Sequence, residues 1–204
     1  MFKIDMHIHT VLGKDSIIQT DELVPLAIQA GLDAVCITEH HSYDLSQPFA
    51  DISQSTGFPI FRGMEYKALE GHLLIYGLSL GRGDMPSQMP MQQVIDWVQK
   101  RGGVAVPAHP FQKNMFGQCL GDRLCKLEGL YAVETDNGSA TPVENKKALD
   151  GADALKVGKI GGSDAHGPNG IGKVFTVFPV LVRSMIELVS ALKSGNYHPD
   201  YRSQ

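Results

Sequence analysis

Two histidines two residues apart, His7 and His9, stand near the start of the chain in Asp5-Met6-His7-Ile8-His9-Thr10. Ile4, Met6 and Ile8 alternate with the polar residues, which is the period of a β-strand. The two imidazoles therefore project side by side from one face, the arrangement with which a strand grips a divalent metal ion. Taken alone, the pattern suits a half-exposed strand equally well. Later strand ends decide between the two. They carry Glu39-His40, Glu65, His109, Glu134 and Asp164, with His166 two residues on.

The elements that must position these side chains alternate between strand and helix. Residues 33–40 form the short apolar run of a buried strand. Residues 59–67, 72–78, 104–109, 130–134 and 159–164 read as five further strands, and 174–180 as an eighth extended run. Helices are expected over 20–30, where Gly31 supplies the end and Pro25 weakens the first turns. Another is expected around Val94, Trp97 and Val98, stopping at Gly102-Gly103. Thr141-Pro142-Val143-Glu144 and Ser184-Met185-Ile186-Glu187 are capping boxes that open two more, the last ended by Gly195. This alternation predicts an α/β fold, a parallel sheet or barrel, in one domain over residues 1–204. In such folds the C-terminal strand ends converge on one face, where sites are built. Ionisable groups buried there without partners would be costly, and a shared metal cluster accounts for them together.

Five motifs occur in order: Asp5-x-His7-x-His9-Thr10, Thr38-Glu39-His40, Gly63-x-Glu65, Ala108-His109-Pro110 and Gly162-Ser163-Asp164-Ala165-His166. Together they resemble the motif set of the PHP (polymerase and histidinol phosphatase) family of metal-dependent phosphoesterases. The resemblance covers nearly the whole chain and implies a distorted seven-stranded (β/α)7 barrel. It also implies a ligand set. His7, His9, Glu65 and Asp164 would hold one metal ion, with Glu65 bridging to a second held by His109 and Glu134. Asp15, His40 and His166 would hold a third. Some relatives have His in place of Asp15, and His or Cys in place of Glu134. The oxygen-richer set here tilts the site toward Mn²⁺ or Fe²⁺, while Zn²⁺ fits the remainder.

Two or three such ions can lower the pKa of a bridging water and clamp the oxygens of a phosphate. Glu65 and Asp164 would then stand at the catalytic centre. His72 matches a further family position and has two readings. It either protonates the leaving group or touches phosphate, or it is a satisfied core histidine. Asp5 reads as a group that positions its strand. His41 reads as a surface residue and His198 as structural. Asp136 and Asn137 either line the site's mouth or make the turn that Gly138 completes. Lys113, Arg123 and Lys173 are cations near the motifs, each better read as solvated surface charge.

The net charge of −4 and the lack of a Lys/Arg cluster argue against binding of long nucleic acid. No apolar run reaches membrane-spanning length, and neither a signal peptide nor an anchor is evident. Three cysteines without metal or redox spacing fit thiols of a reducing cytoplasm. The expected protein is thus a cytoplasmic metal-dependent phosphoric ester hydrolase of a small phosphorylated metabolite or nucleotide. Two alternatives stay open. One is a non-catalytic metal-binding PHP domain with a regulatory or assembly role. The other is a C–N hydrolase of the amidohydrolase barrel type, which also begins with two histidines on its first strand.

Overall fold

The computed structural model describes residues 1–81 and 83–203. Among the described residues, five α-helices and ten strands form a mixed α/β fold. β1 (Phe2–Ile8) pairs in parallel with β2 (Ala34–Ile37), which pairs in parallel with β3 (Ile60–Arg62). The other side of β1 is taken by β9 (Val174–Phe178), antiparallel, and β9 in turn by β10 (His198–Tyr201). A second sheet is antiparallel: β4 (Met64–Lys67), β5 (His72–Tyr76) and β6 (Val104–Ala108). The third is a parallel pair, β7 (Ala132–Asn137) and β8 (Gly158–Gly162).

Most predicted elements are present, but their pairing differs from an all-parallel expectation. The single strand read over 59–67 is two strands, broken at Gly63. A Cβ there would stand 2.8 Å from the Ile75 carbonyl oxygen and 3.0 Å from the Tyr76 ring. That close approach lets the chain leave the first sheet and enter the second. β4 then turns directly into β5, with no helix between them. Among the described residues the strands form sheets of five, three and two, and none of the three closes on itself.

The helices follow from local signals. α1 (Leu23–Gln29) is shorter than expected, and its Pro25 sits in the first turn, where no N–H is needed. α2 (Pro48–Thr56) was not anticipated, although Pro48 opens it and Gly57, at φ 69°, ends it. α3 (Met91–Lys100) buries Met91, Val94, Ile95 and Val98. α4 (Pro142–Leu155) has the full capping box of Thr141 and Glu144. α5 (Met185–Ser194) keeps only half of one. Ser184 caps the Glu187 N–H, while the Glu187 carboxylate accepts from Arg183 N–H instead. Val174–Phe178, expected only as an extended run, lies inside the five-stranded sheet, with β10 outside it.

Apolar side chains of β1, β2, β5, β6 and α5 make one core cluster, with Ile4, Met6, Leu74, Val106 and Leu188 all buried. Tyr76 is fully buried, and its hydroxyl donates to the Met6 carbonyl at 2.7 Å, tying the second sheet to β1. Cys36 is buried, and Cys36, Cys119 and Cys125 are all free thiols. No helix among the described residues is long and apolar enough to cross a membrane.

Candidate metal centre

Backbone bonds beyond the sheets bring the motif-bearing ends together. Asp164 N–H donates to the His7 carbonyl at 2.8 Å, and His9 N–H to the Ala165 carbonyl at 3.1 Å, joining the end of β8 to the end of β1. Glu65 N–H donates to the Glu39 carbonyl, and His41 N–H to the Glu65 carbonyl, both at 3.0 Å. These bonds fasten the end of β2 to β4. Because β5 runs against its neighbours, its first residue, His72, arrives at the same end as the others' last residues. Asp5 supports this end from below. Its buried carboxylate accepts N–H groups of Ser163, Gly172 and His7. Burial pushes its carboxyl up to about 6, against the pull of those bonds.

Glu65 is the centre of the cluster. Its Oε1 lies 2.7 Å from His72 Nδ1 and 3.0 Å from His109 Nε2. Its Oε2 lies 3.1 Å from His40 Nδ1, 3.2 Å from His9 Nε2 and 3.5 Å from His7 Nε2. Asp164 Oδ1 faces His7 and His9 Nε2 at 3.5 and 3.4 Å. Asp15 Oδ2 lies 3.0 Å from His40 Nε2 and 3.5 Å from His166 Nε2. The cluster grades from buried to open: His7 and His9 are wholly enclosed, whereas the His166 side chain is 39% exposed.

Electrostatics couples these groups. Burial opposes charge on His7, yet Asp164, Glu134 and Glu65 outweigh it and hold His7 well above the usual imidazole range. Burial likewise opposes charge on His9, but its hydrogen bonds to Asp164 and Glu65 bring it to about 9. His40, desolvated and facing other imidazoles, falls to about 4. Glu65 is driven the other way, well below the carboxylate range, as His7 and His109 overcome its burial. His109 and Asp164 carry left-handed backbone, at φ 30° and 52°, the kind of strain that clusters at functional sites.

The donor set fits divalent metal ions. Four overlapping groups each bring their ligand atoms within 4.8 Å of one another. They are His7, His9 and Glu65; His7, His109 and Asp164; Glu65, His72 and His109; and His9, Asp15, His40 and His166. Imidazole nitrogens crowd around carboxylate oxygens, and His7 Nε2 meets His9 Nε2 at 3.0 Å. A cation satisfies such a set better than shared protons can. Eight of the nine residues expected as ligands fall in these groups.

Glu134 is the exception, and the difference has a cause. Its Oε1 accepts His7 Nδ1–H at 2.9 Å, and its Oε2 accepts His109 N–H at 2.8 Å and Asn137 Nδ2 at 3.1 Å. Fully buried and committed to those bonds, Glu134 orients His7 instead of joining a group. His72, read either as a catalytic or as a core histidine, is half-buried and shares a donor group with Glu65 and His109. Asn137 is the residue the sequence undervalued. Buried, it links Glu134 to Asp164 Oδ2 at 3.3 Å and also caps the turn through Ser139 and Ala140 N–H. Asp136 points away to the Tyr201 hydroxyl. His198 is exposed on β10.

Of the cations noted near the motifs, Arg123 is tied to the Leu120 and Cys119 carbonyls, and Lys113 neighbours Glu144. A cleft of about 510 Å³ opens beside His72 and His109, lined also by Lys67, Lys113, Phe116 and Arg123. Lys67 was not singled out in the sequence. It follows Glu65 by two on β4, so strand alternation places it on the same face. Lys173 lines a separate hollow beside Asp164 and His166.

Residues 5–102 match the PHP domain, and residues 142–197 match the PHP-associated family. The chain carries a PHP domain. An uncharacterized protein of Methanocaldococcus jannaschii is 28% identical over 145 residues, spanning 66% of this chain and 81% of that one. A two-domain Bacteroides vulgatus protein, described as containing a predicted PHP-like metal-dependent phosphoesterase, superposes with a TM-score of 0.77 at 20% identity. That match covers 98% of this chain and 65% of the other. An amidohydrolase of Chromobacterium violaceum, with sulfate bound and no metal, gives 0.67 at 15% identity, covering 98% of both. These structural likenesses speak for a PHP-like fold.

His41 gives a control within the same stretch. Its exposed side chain borders a neighbouring hollow with Tyr66 and Leu80, and it belongs to none of the four groups. His41→Ala is expected to keep metal affinity within about twofold, since its exposed side chain offers no atom to the four groups. Chelator competition on the two proteins checks this, and a tenfold loss would place His41 in the centre.

Proposed function

We propose that this PHP-domain chain is a metal-dependent phosphoesterase acting on a small phosphorylated molecule. The observation that carries the reading is Glu65, one buried carboxylate ringed by five imidazoles beside an open cleft with Lys67 and Lys113 at its wall. In this reading His7, His9, Glu65 and Asp164 hold one divalent ion, and Glu65, His72 and His109 a second. Asp15, His40 and His166 hold a third. Mn²⁺, Fe²⁺ and Zn²⁺ all suit such mixed nitrogen and oxygen donors. When bound, the ions supply positive charge for phosphate oxygens and acidify water to a nucleophile near neutral pH.

The chain's own residues do the rest. Glu134 and Asn137 fix the directions of His7 and Asp164. His72 is assigned to holding metal ahead of protonating a leaving group, since it brings a ligand atom within 4.8 Å of those of Glu65 and His109. The cleft beside it is of the size that takes a metabolite or a nucleotide. The three sheets are read as sections of one distorted seven-stranded barrel, joined by the β8–β1 and β2–β4 bonds.

The C–N hydrolase alternative draws support from the Chromobacterium fold likeness. It is weakened by the bridging group, which is Glu65 where amidohydrolase barrels place a carboxylated lysine. The test is hydrolysis by protein stripped of metal and reloaded with Mn²⁺, Zn²⁺ or Fe²⁺. The panel is a phosphomonoester, a phosphodiester, a nucleoside bisphosphate, histidinol phosphate and an amide. Phosphate release from at least one ester is expected. Amide turnover without any phosphate release would reverse the assignment, and silence throughout from loaded protein would favour a binding role.

A further inference from the structure

Glu39 is a second buried carboxylate at the cluster that none of the four groups uses. Its Oε1 accepts the Thr10 N–H at 3.1 Å and also the Thr10 hydroxyl. Those two donors settle which way the carboxylate faces, and they aim Oε2 at the ring of His9. Among the described residues, just two buried side-chain nitrogen or oxygen atoms lack a hydrogen-bond partner. They are Glu39 Oε2 and His9 Nδ1. They face each other at 3.9 Å.

An unpaired buried polar atom costs roughly 1–3 kcal/mol, so two of them pointing at one another call for an explanation. His7, two residues away on the same strand, supplies one. Its Nδ1–H is already held by the Glu134 carboxylate at 2.9 Å, which leaves Nε2 turned to Glu65 and Asp164. His9 presents Nε2 to the same two carboxylates, and Glu39 occupies the corresponding place behind it.

We propose that Glu39 is the positioning residue for His9. Its Oε2 accepts Nδ1–H once a divalent ion takes the Nε2 lone pair, and the gap closes by about an ångström to normal hydrogen-bond length. Metal-ligating histidines characteristically donate their other N–H to a carboxylate, which fixes tautomer and ring direction and strengthens the ligand. Glu39 thereby completes a pair of carboxylate–histidine units, Glu134–His7 and Glu39–His9, on the two ligands of one strand. The inference rests on the metal-holding part of the proposed function and is independent of which bond the enzyme cleaves.

Glu39→Gln tests it on the full-length chain. The Gln carbonyl stays on the Thr10 N–H, which turns the amide NH₂ toward His9 Nδ1, donor against donor. Zn²⁺ affinity, measured by competition with a chromogenic chelator, is expected to fall about 10–100-fold. The melting temperature of the stripped protein should change little, because the Thr10 bond survives. A second measurement needs no variant. In zinc-loaded wild-type protein with ¹⁵N-labelled histidine, His9 should be protonated at Nδ1 and metal-bound at Nε2. Wild-type affinity in Glu39→Gln, or a His9 protonated at Nε2 in the loaded protein, would overturn the assignment. Since neither readout is turnover, an absence of phosphoester hydrolysis would count against the proposed reaction and leave this result intact.

Discussion

Glu65→Ala is expected to abolish metal-dependent turnover, by at least about a thousandfold, while the protein still folds. All four donor groups draw on Glu65 or on a histidine that faces it at 3.0–3.5 Å. Without that carboxylate the proposed first and second ions lose the one ligand they share. A thousandfold loss corresponds to about 4 kcal/mol of transition-state stabilisation, a modest demand on a bridging ligand. The backbone bonds of residue 65 to Glu39 and His41 need no side chain, so β4 keeps its place. Stability should nevertheless fall. Removing one partner from a buried charged network typically costs about 3–5 kcal/mol, because the others are left uncompensated. His7 and His9 are held above the imidazole range partly by Glu65, and they are the groups left exposed to that cost. Circular dichroism, bound-metal content and turnover on the same sample check all three expectations. A folded Glu65→Ala protein with wild-type turnover would remove the centre from the mechanism.

The second large effect is expected from a residue with no side chain. A Cβ on Gly162 would stand 2.5 Å from the His7 Cβ, 2.9 Å from the His7 nitrogen and 3.0 Å from Glu134 Oε1. None of the three can yield cheaply. The first two belong to the body of β1, and Glu134 is pinned by His7, His109 and Asn137. Gly162→Ala must therefore push β8 away from β1 and stretch the Asp164-to-His7 backbone bond that brings the two motifs together. Overpacking of this kind costs about 1–3 kcal/mol, and here it also displaces His7 and Asp164. Both a lowered melting temperature and a weakened metal affinity are expected, read by thermal denaturation and chelator competition. Affinity equal to wild type alongside a lowered melting temperature would show that the ligand positions do not depend on this crossing.

These two residues illustrate how much of the protein is written locally. The residues of the cluster were legible because strand alternation and strand ends announce them: His7 and His9 by period, Glu65, His109 and Asp164 by position. Capping at Thr141 was legible for the same reason, since a capping box is closed within four residues. What could not be read was the direction of β5. A parallel strand would carry His72 to the far end. Only its pairing with β4, Lys67 opposite His72, brings that histidine beside Glu65. The break at Gly63 was hidden likewise, because its cause is a contact with Ile75 and Tyr76 farther along the chain. Glu134 was found by its strand end, yet its role depends on three partners on other segments. Glu39 was seen as part of a motif, but nothing in the motif reveals that its free oxygen faces His9.

The central claim is that this cluster holds metal in order to hydrolyse a phosphoester, and one titration tests it directly. Protein stripped by chelator is returned to Mn²⁺ in steps, and each step is assayed for bound metal and for phosphate released from a simple monoester. Release should be absent at the start and rise with occupancy of the Glu65 centre, reaching its plateau as the last tightly held ion binds. Phosphate release already present in the stripped protein and indifferent to added metal would contradict the claim.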